Sequence, residues 1–276
     1  MTSDFPRRIV CLTEESTEVL YLLGEEARIV GVSGFTARPP EARLKPKISA
    51  FTTAKFDRIV ALDPDLIIGF SDLQADIARE LIARGRNVLV FNQRSVEEIL
   101  EMIAALARIV GAEERGIELV KRFTGELDAI AESARRFPRR PRVFFEEWND
   151  PLISGIRWVD EIVEIAGGTP LFPELRCQHD AKGRIVGPAA VRERDPEIVI
   201  ASWCGKKVNK QTIRGREGWE HIRHVYEIKS TYILQPGPAA LTEGVRQLHA
   251  MIAHVVGFAA PAALRPAEKM DPDLEL

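Results

Sequence analysis

Residues Glu113–Arg136 read EERGIELVKRFTGELDAIAESARR, with two glycines and no proline. Ile117, Val120, Phe123, Leu127, Ile130 and Ala134 recur at helical spacing, which predicts one continuous helix with a single buried face. This stretch is longer than an ordinary βαβ crossover helix. Gly111 precedes it, and Arg139-Arg140-Pro141 closes it before a new apolar run begins. The chain therefore reads as two halves joined by a helix: an N-terminal lobe over 7–111, the linking helix over 112–137 and a C-terminal lobe over 138–260. The Pro-, Ala- and acid-rich tail, 261–276, is expected to be loose.

Ahead of the helix, short apolar runs alternate with helical patterns. Strands are expected at Arg8–Leu12, Ile29–Val32, Leu66–Gly69 and Val88–Phe91. Thr13, or else Ser16, is placed to cap a helix that buries Val19, Leu20, Leu22 and Leu23 before Gly24. Ser95 and Glu98 form a capping box for a helix running to about Val110. Behind the linking helix, strands are expected at Arg142–Phe145, Ile198–Ala201 and Val225–Ile228, with Tyr232–Leu234 as a further one. Helices are expected at Val159–Ala166, Ala189–Arg194 and Thr242–Val256. One phrase occurs twice. Arg58–Ile68 and Val191–Ile200 each read as a short helix, an Asp-Pro turn and an apolar strand. The expected fold is α/β: two Rossmann-like lobes with mainly parallel sheets, and a ligand cleft between them.

Composition narrows the function. Of 276 residues, 45% are hydrophobic and 29% charged, and the net charge of −3 offers no dominant basic surface, so no nucleic-acid partner is expected. Cys11, Cys177 and Cys204 are too few and too widely spaced for a disulfide framework. Buried free thiols are the simplest reading, with a Cys177–Cys204 bridge as the alternative. The opening apolar run, Ile9–Leu12, is too short for a secretory signal, and no stretch is long enough to span a membrane. The chain as it stands reads as a soluble, cytoplasmic monomer, or as a periplasmic protein already processed.

In open α/β sheets, ligands bind beyond the carboxyl ends of the strands. Those positions hold Ser33, Gly34, Phe35, Phe51, Phe70 and Ser71 in the first lobe. In the second they hold Glu146, Glu147, Trp148, Asn149, Trp203, Cys204 and Tyr232. Trp148, Trp158 and Trp203 are read as lying in or near strand-end loops, where aromatic faces suit a large flat ligand. Enzyme signatures are weak. There is no glycine-rich phosphate loop and no His-Glu-x-x-His motif. Glu146 and Glu147 are a candidate acid and base but point to opposite sides of a strand. Cys177, His179 and Cys204 are a thin candidate soft-metal set. Neither a catalytic cofactor nor a resident metal is expected.

The chain resembles the helical-backbone class of substrate-binding proteins, which serve importers of vitamin B12, haem and ferric siderophores, and most of all their vitamin B12-binding members. The resemblance runs from about Arg8 to Gly257. It is carried by Glu14-x-x-Thr17-Glu18, Val30-Gly31-Val32 with Pro39-Pro40, the Arg58–Ile68 phrase, and Ser154-Gly155 through Gly167-Gly168. It implies a corrinoid ligand, cobalamin or cobinamide, clasped by aromatics; haem, a ferric siderophore or an enzyme reusing the scaffold are the alternatives. Phe35, Phe51 and Phe70 match the family's aromatic positions. Trp148 and Trp158 fall in the ligand-facing region, and Trp203 joins them from its strand-end position. Ser33, Asn149 or Arg157 would supply polar contacts, and Cys204 or His179 a lower ligand to cobalt. The family also presents one acid per lobe to an ABC permease. Asp57 matches on the first lobe, but Ala189 stands at the second position, with Glu193 one turn later. The basic segment Ser202–Trp219 and the later Gln235–Pro238 depart from the vitamin B12-binding pattern. The basic segment reads as a solvated loop or as a reader of an anionic group.

Overall fold

The computed structural model describes residues 5–273. The chain falls into two compact units. One runs through Gln93 and takes in Glu97–Arg122. The other holds Arg94–Val96 and the chain from Phe123 onward.

In the first unit the strands are β1 (Ile9–Cys11), β2 (Ile29–Ser33), β3 (Lys47–Ala50), β4 (Thr53–Ala54), β5 (Leu66–Phe70) and β6 (Val88–Phe91). They form one sheet in the order β4-β3-β2-β1-β5-β6, parallel except for the β3–β4 pair. β1 and β5 are wholly buried, as their unbroken apolar sequence requires. The helices are α1 (Glu14–Leu22), α2 (Phe56–Ala61), α3 (Ala75–Ala83) and α4 (Val96–Ile109). α1 buries Val19 and Leu20, with Leu23 just beyond it, but Leu22 is 43% exposed. The stripe toward the sheet is narrower than the sequence suggested.

α5 (Glu113–Ala134) is the predicted long helix, and its residues divide between the two units. Its buried face differs from the expected one at the start. Ile117 is 45% exposed, and Gly116, Leu119, Phe123, Leu127, Ile130 and Ala134 are buried. The cause is a close crossing with α4. A Cβ on Gly116 would stand 2.3 Å from the Ala107 Cβ, so the glycine sets which side of the first turns faces inward.

In the second unit the strands are β7 (Arg142–Asn149), β8 (Leu152–Ser154), β9 (Thr169–Pro170), β10 (Ile198–Ala201) and β11 (His224–Glu227). Their order is β11-β10-β7-β8, with β9 also paired to β7. β10 is parallel to both β7 and β11, and β7 folds back on β8 as an antiparallel hairpin. The helices are α6 (Arg157–Ile165), α7 (Pro188–Glu193), α8 (Lys210–Arg214), α9 (Ser230–Ile233) and α10 (Val245–Val255). Three expectations are overturned. β7 continues through Trp148 and Asn149, so both stand on a strand rather than in a loop. Trp158 lies in the first turn of α6, not in a strand-end loop. The segment expected as a strand at Tyr232–Leu234 is helical, as α9.

The repeated phrase proves to be a repeated device. Asp63 and Asp195 both take positive φ, 45° and 51°, just ahead of their prolines. In the first unit the Arg8 Nε–H donates to the Asp63 carbonyl (3.1 Å), and its backbone N–H donates to the Asp65 carboxylate (2.9 Å). In the second, Arg142 does the same with Asp195 (2.6 Å) and Glu197 (3.0 Å). The reciprocal backbone bonds, Asp65 N–H to the Arg8 carbonyl and Glu197 N–H to the Arg142 carbonyl, are each 3.0 Å.

The tail, expected to be loose, makes bonds to the rest of the second unit within 261–273, and its residues 274–276 lie outside the described ones. Ala267 and Glu268 donate their backbone N–H groups to the Glu243 carboxylate. Asp271 is buried, where it accepts from Lys210 Nζ and from the Glu227 N–H.

Candidate functional site

In the first unit the strand order reverses between β1 and β5, the switch point where doubly wound sheets open a crevice. Thr13, Glu14 and Glu15 follow β1 there. Thr13 Oγ1 donates to Glu15 Oε1 at 2.5 Å, but neither Glu14 oxygen has a hydrogen-bond partner among the described residues. Burial, with the Glu15 charge second, pushes the Glu14 carboxyl up to about 8, and burial pushes Glu15 up to about 7.

The neighbouring strand ends carry the predicted aromatics. Gln74, wholly buried, ties two of them together. Its amide donates to the Phe51 carbonyl (2.8 Å), and its side-chain oxygen accepts from the Phe70 N–H (3.0 Å). The Phe51 and Phe70 rings lie 6.4 Å apart. Phe70 is buried and Phe51 partly exposed, while Phe35 is 54% exposed on a turn in which Ser33 Oγ accepts from the Phe35 N–H (3.2 Å). Gln74 was not foreseen, because nothing in its local sequence marks it.

In the second unit Glu146 is fully buried. It accepts both Arg216 Nη groups, at 2.5 and 2.9 Å, and the Trp203 indole N–H at 3.1 Å. Burial raises its carboxyl and Arg216 opposes the rise. Glu147 pairs instead with the buried Arg184, so the two neighbours do point apart. Trp148, Asn149 and Trp203 come together around Lys206. The Lys206 Nζ stands 5.6 Å from the Trp148 ring and 5.1 Å from the Trp203 ring, and donates to Asn149 Oδ1 at 3.4 Å. Trp158 is not in this group. It is buried, and its N–H is taken by the Ile233 carbonyl at 2.9 Å. Arg157 is paired along its own helix with Glu161 (2.8 Å).

The segment after β10 is only partly a solvated loop. Arg216 anchors it to β7, while Arg214 and Lys210 meet Asp273. Beside it lies a cavity of about 520 Å³, lined by Trp203, Lys206, Lys207, Lys229 and the tail residues Lys269 and Asp271. A smaller one, about 240 Å³, sits beside Phe91 and Asn92 in the first unit.

Asp57, on α2, is exposed and bonded to Arg84 (2.7 Å), while Ala189 and Glu193 are exposed on α7. None of the three cysteines is in a disulfide, so the Cys177–Cys204 bridge does not form. Cys11 is buried, and burial raises its thiol to about 11, but Cys177 and Cys204 are exposed, contrary to the expectation of buried thiols. His179 is also exposed. Among the described residues no group of three or more His, Cys, Asp or Glu is placed to hold a metal ion. No helix among them is long and apolar enough to cross a membrane.

The model of the family described as periplasmic binding protein matches residues 9–232. The chain belongs to this family. An uncharacterized ABC transporter substrate-binding lipoprotein of Bacillus subtilis is 25% identical, over 88% of this chain and 79% of that protein. The vitamin B12-binding protein of Vibrio parahaemolyticus is 24% identical, over 87% of this chain and 88% of its own length. Among solved structures, a periplasmic heme binding protein from Pseudomonas aeruginosa has a TM-score of 0.80 at 19% identity, covering 97% of this chain and 98% of that one. At that identity the likeness shows a shared fold. The family assignment agrees with the two α/β units and with the long helix that runs through both.

Proposed function

We propose that this periplasmic binding protein binds a corrinoid, cobalamin or cobinamide, for delivery to an ABC permease. The observation that carries the reading is the likeness to the vitamin B12-binding protein of Vibrio parahaemolyticus over 87% of the chain. The strand-end aromatics that keep exposed surface support it, Phe35 and Phe51 in the first unit and, in the second, Trp148 beside the polar Asn149, while Phe70 and Trp203 are buried in their own units. Asp57 is the proposed contact to the permease, with Glu193 standing in for the acid that Ala189 lacks. Membership of the periplasmic binding protein family and the likeness to a substrate-binding lipoprotein favour an exported location over the expected cytoplasmic one.

Titration of the purified chain with cyanocobalamin, followed by visible absorbance and calorimetry, tests the reading. Micromolar or tighter binding is expected, weakened about tenfold or more in Trp148→Ala. No binding up to about millimolar ligand rejects it, and a Soret shift with haemin in place of cobalamin binding moves the assignment to haem.

A further inference from the structure

The cavity beside Trp203 has a wall chemistry that a flat apolar ligand does not use. Residues at and just past the carboxyl ends of β10 and β11 line it, and together with the tail they supply four lysines: Lys206, Lys207, Lys229 and Lys269. Two acids also line it, but both are already engaged. Asp271 accepts from Lys210 Nζ and the Glu227 N–H, and Glu227 Oε1 accepts from the Val208 N–H (3.1 Å). Among the described residues Lys207, Lys229 and Lys269 meet no carboxylate, while Lys206 lies over the Trp148 and Trp203 rings. The wall therefore carries unneutralised positive charge beside an indole. A volume of about 520 Å³ is more than a single small ion fills. The tail is part of the construction. Glu243 holds Ala267 and Glu268, and Lys210 with the Glu227 N–H holds Asp271, which brings Lys269 to the rim.

We propose that this cavity binds an oxyanion-bearing arm of the ligand, phosphate or carboxylate, against Lys207, Lys229 and Lys269. Charge-assisted N–H···O bonds from mobile ammonium groups suit an oxyanion. The inference rests on the corrinoid reading only in its choice of first probe.

Cyanocobalamin carries a phosphodiester arm that dicyanocobinamide lacks, and the two share the corrin ring. Calorimetric titration of the full chain at low salt is expected to show cobalamin binding about tenfold tighter. That preference should narrow to about twofold in Lys207→Ala/Lys229→Ala/Lys269→Ala and in 0.5 M salt, where exposed charges are screened. The three lysines are exposed, so their loss leaves the core intact. Equal affinities in the unsubstituted chain, or a preference that the triple substitution leaves unchanged, overturn the proposal. If neither corrinoid binds, the corrinoid reading falls, and pyrophosphate and citrate decide the cavity by themselves. Millimolar binding of pyrophosphate or citrate that the triple variant loses sustains the proposal and names the source, phosphate or carboxylate. No binding of either overturns it.

Discussion

Glu14 and Glu146 occupy comparable places, each at or just beyond the end of the apolar run of the first strand of its own sheet, and burial raises both carboxyls, but only Glu146 is bonded to a cation. The two bonds that Glu146 accepts from Arg216 oppose the rise. Glu14 has no such partner, and burial holds its proton up to about 8. The carboxyl titrates near its ordinary 4.5 in the unfolded chain and near 8 in the folded one, so folding favours the protonated form. Its contribution to stability is complete below about pH 4.5 and is lost as pH rises through about 8; Glu15 acts the same way, through about 7. Thermal melts between pH 5 and 9 should therefore show stability falling toward the alkaline end. Glu14→Gln removes much of that fall and should melt several degrees above the parent at pH 9, since about 1 kcal/mol moves Tm by roughly 2–4 °C in a chain of this size. Parallel profiles for parent and variant would show that Glu14 is ionised at low cost and that the burial argument is wrong.

At the scale of elements, α5 shows what a sequence reveals and what it hides. Its length and continuity were legible because proline is absent and the apolar spacing is regular. The strands were legible for a similar reason, each being a short apolar run between Gly, Pro or Asp-Pro. The inward face of the first turns of α5 was not legible. Gly116 fixes it through a contact with Ala107 that apolar periodicity cannot represent. The two glycines of the helix should answer substitution differently. Gly116→Val forces α4 and α5 apart and is expected to cost about 1–3 kcal/mol, whereas Gly125→Ala, which meets nothing within 4 Å, should be neutral or stabilise by up to about 1 kcal/mol. Urea midpoints of the two variants check this, and similar losses at both positions would mean that the crossing is not close. The site was legible in the same partial way. Trp148, Asn149 and Trp203 come together around Lys206, but the pairing of Glu146 with Arg216 spans 70 residues and that of Lys210 with Asp271 spans 61. Those pairings decide which basic residues remain available, and local patterns carry no trace of them. Trp158 misled because an aromatic near a strand end reads alike whether it faces solvent or the underside of a helix.

Across the whole molecule, the shared arginine-to-turn device makes the two units alike in construction, down to the positive φ of Asp63 and Asp195. A turn with a non-glycine residue at positive φ carries a local cost, which side-chain bonds to its carbonyl offset. In each unit an arginine at the start of the central strand makes that bond while the following acid holds the arginine's own N–H. Arg8→Ala and Arg142→Ala should then destabilise by similar amounts, about 1–2 kcal/mol each, as expected for loss of a charged hydrogen-bond donor. They share no bonding partner: Arg8 bonds Leu62, Asp63 and Asp65, and Arg142 bonds Asp195 and Glu197. The double variant should accordingly lose the sum of the two within about 0.5 kcal/mol. Denaturant unfolding of the two single variants and the double variant closes that cycle. A loss in the double variant far from the sum would mean that the units communicate through these turns, and that the repeat is more than two copies of one local solution.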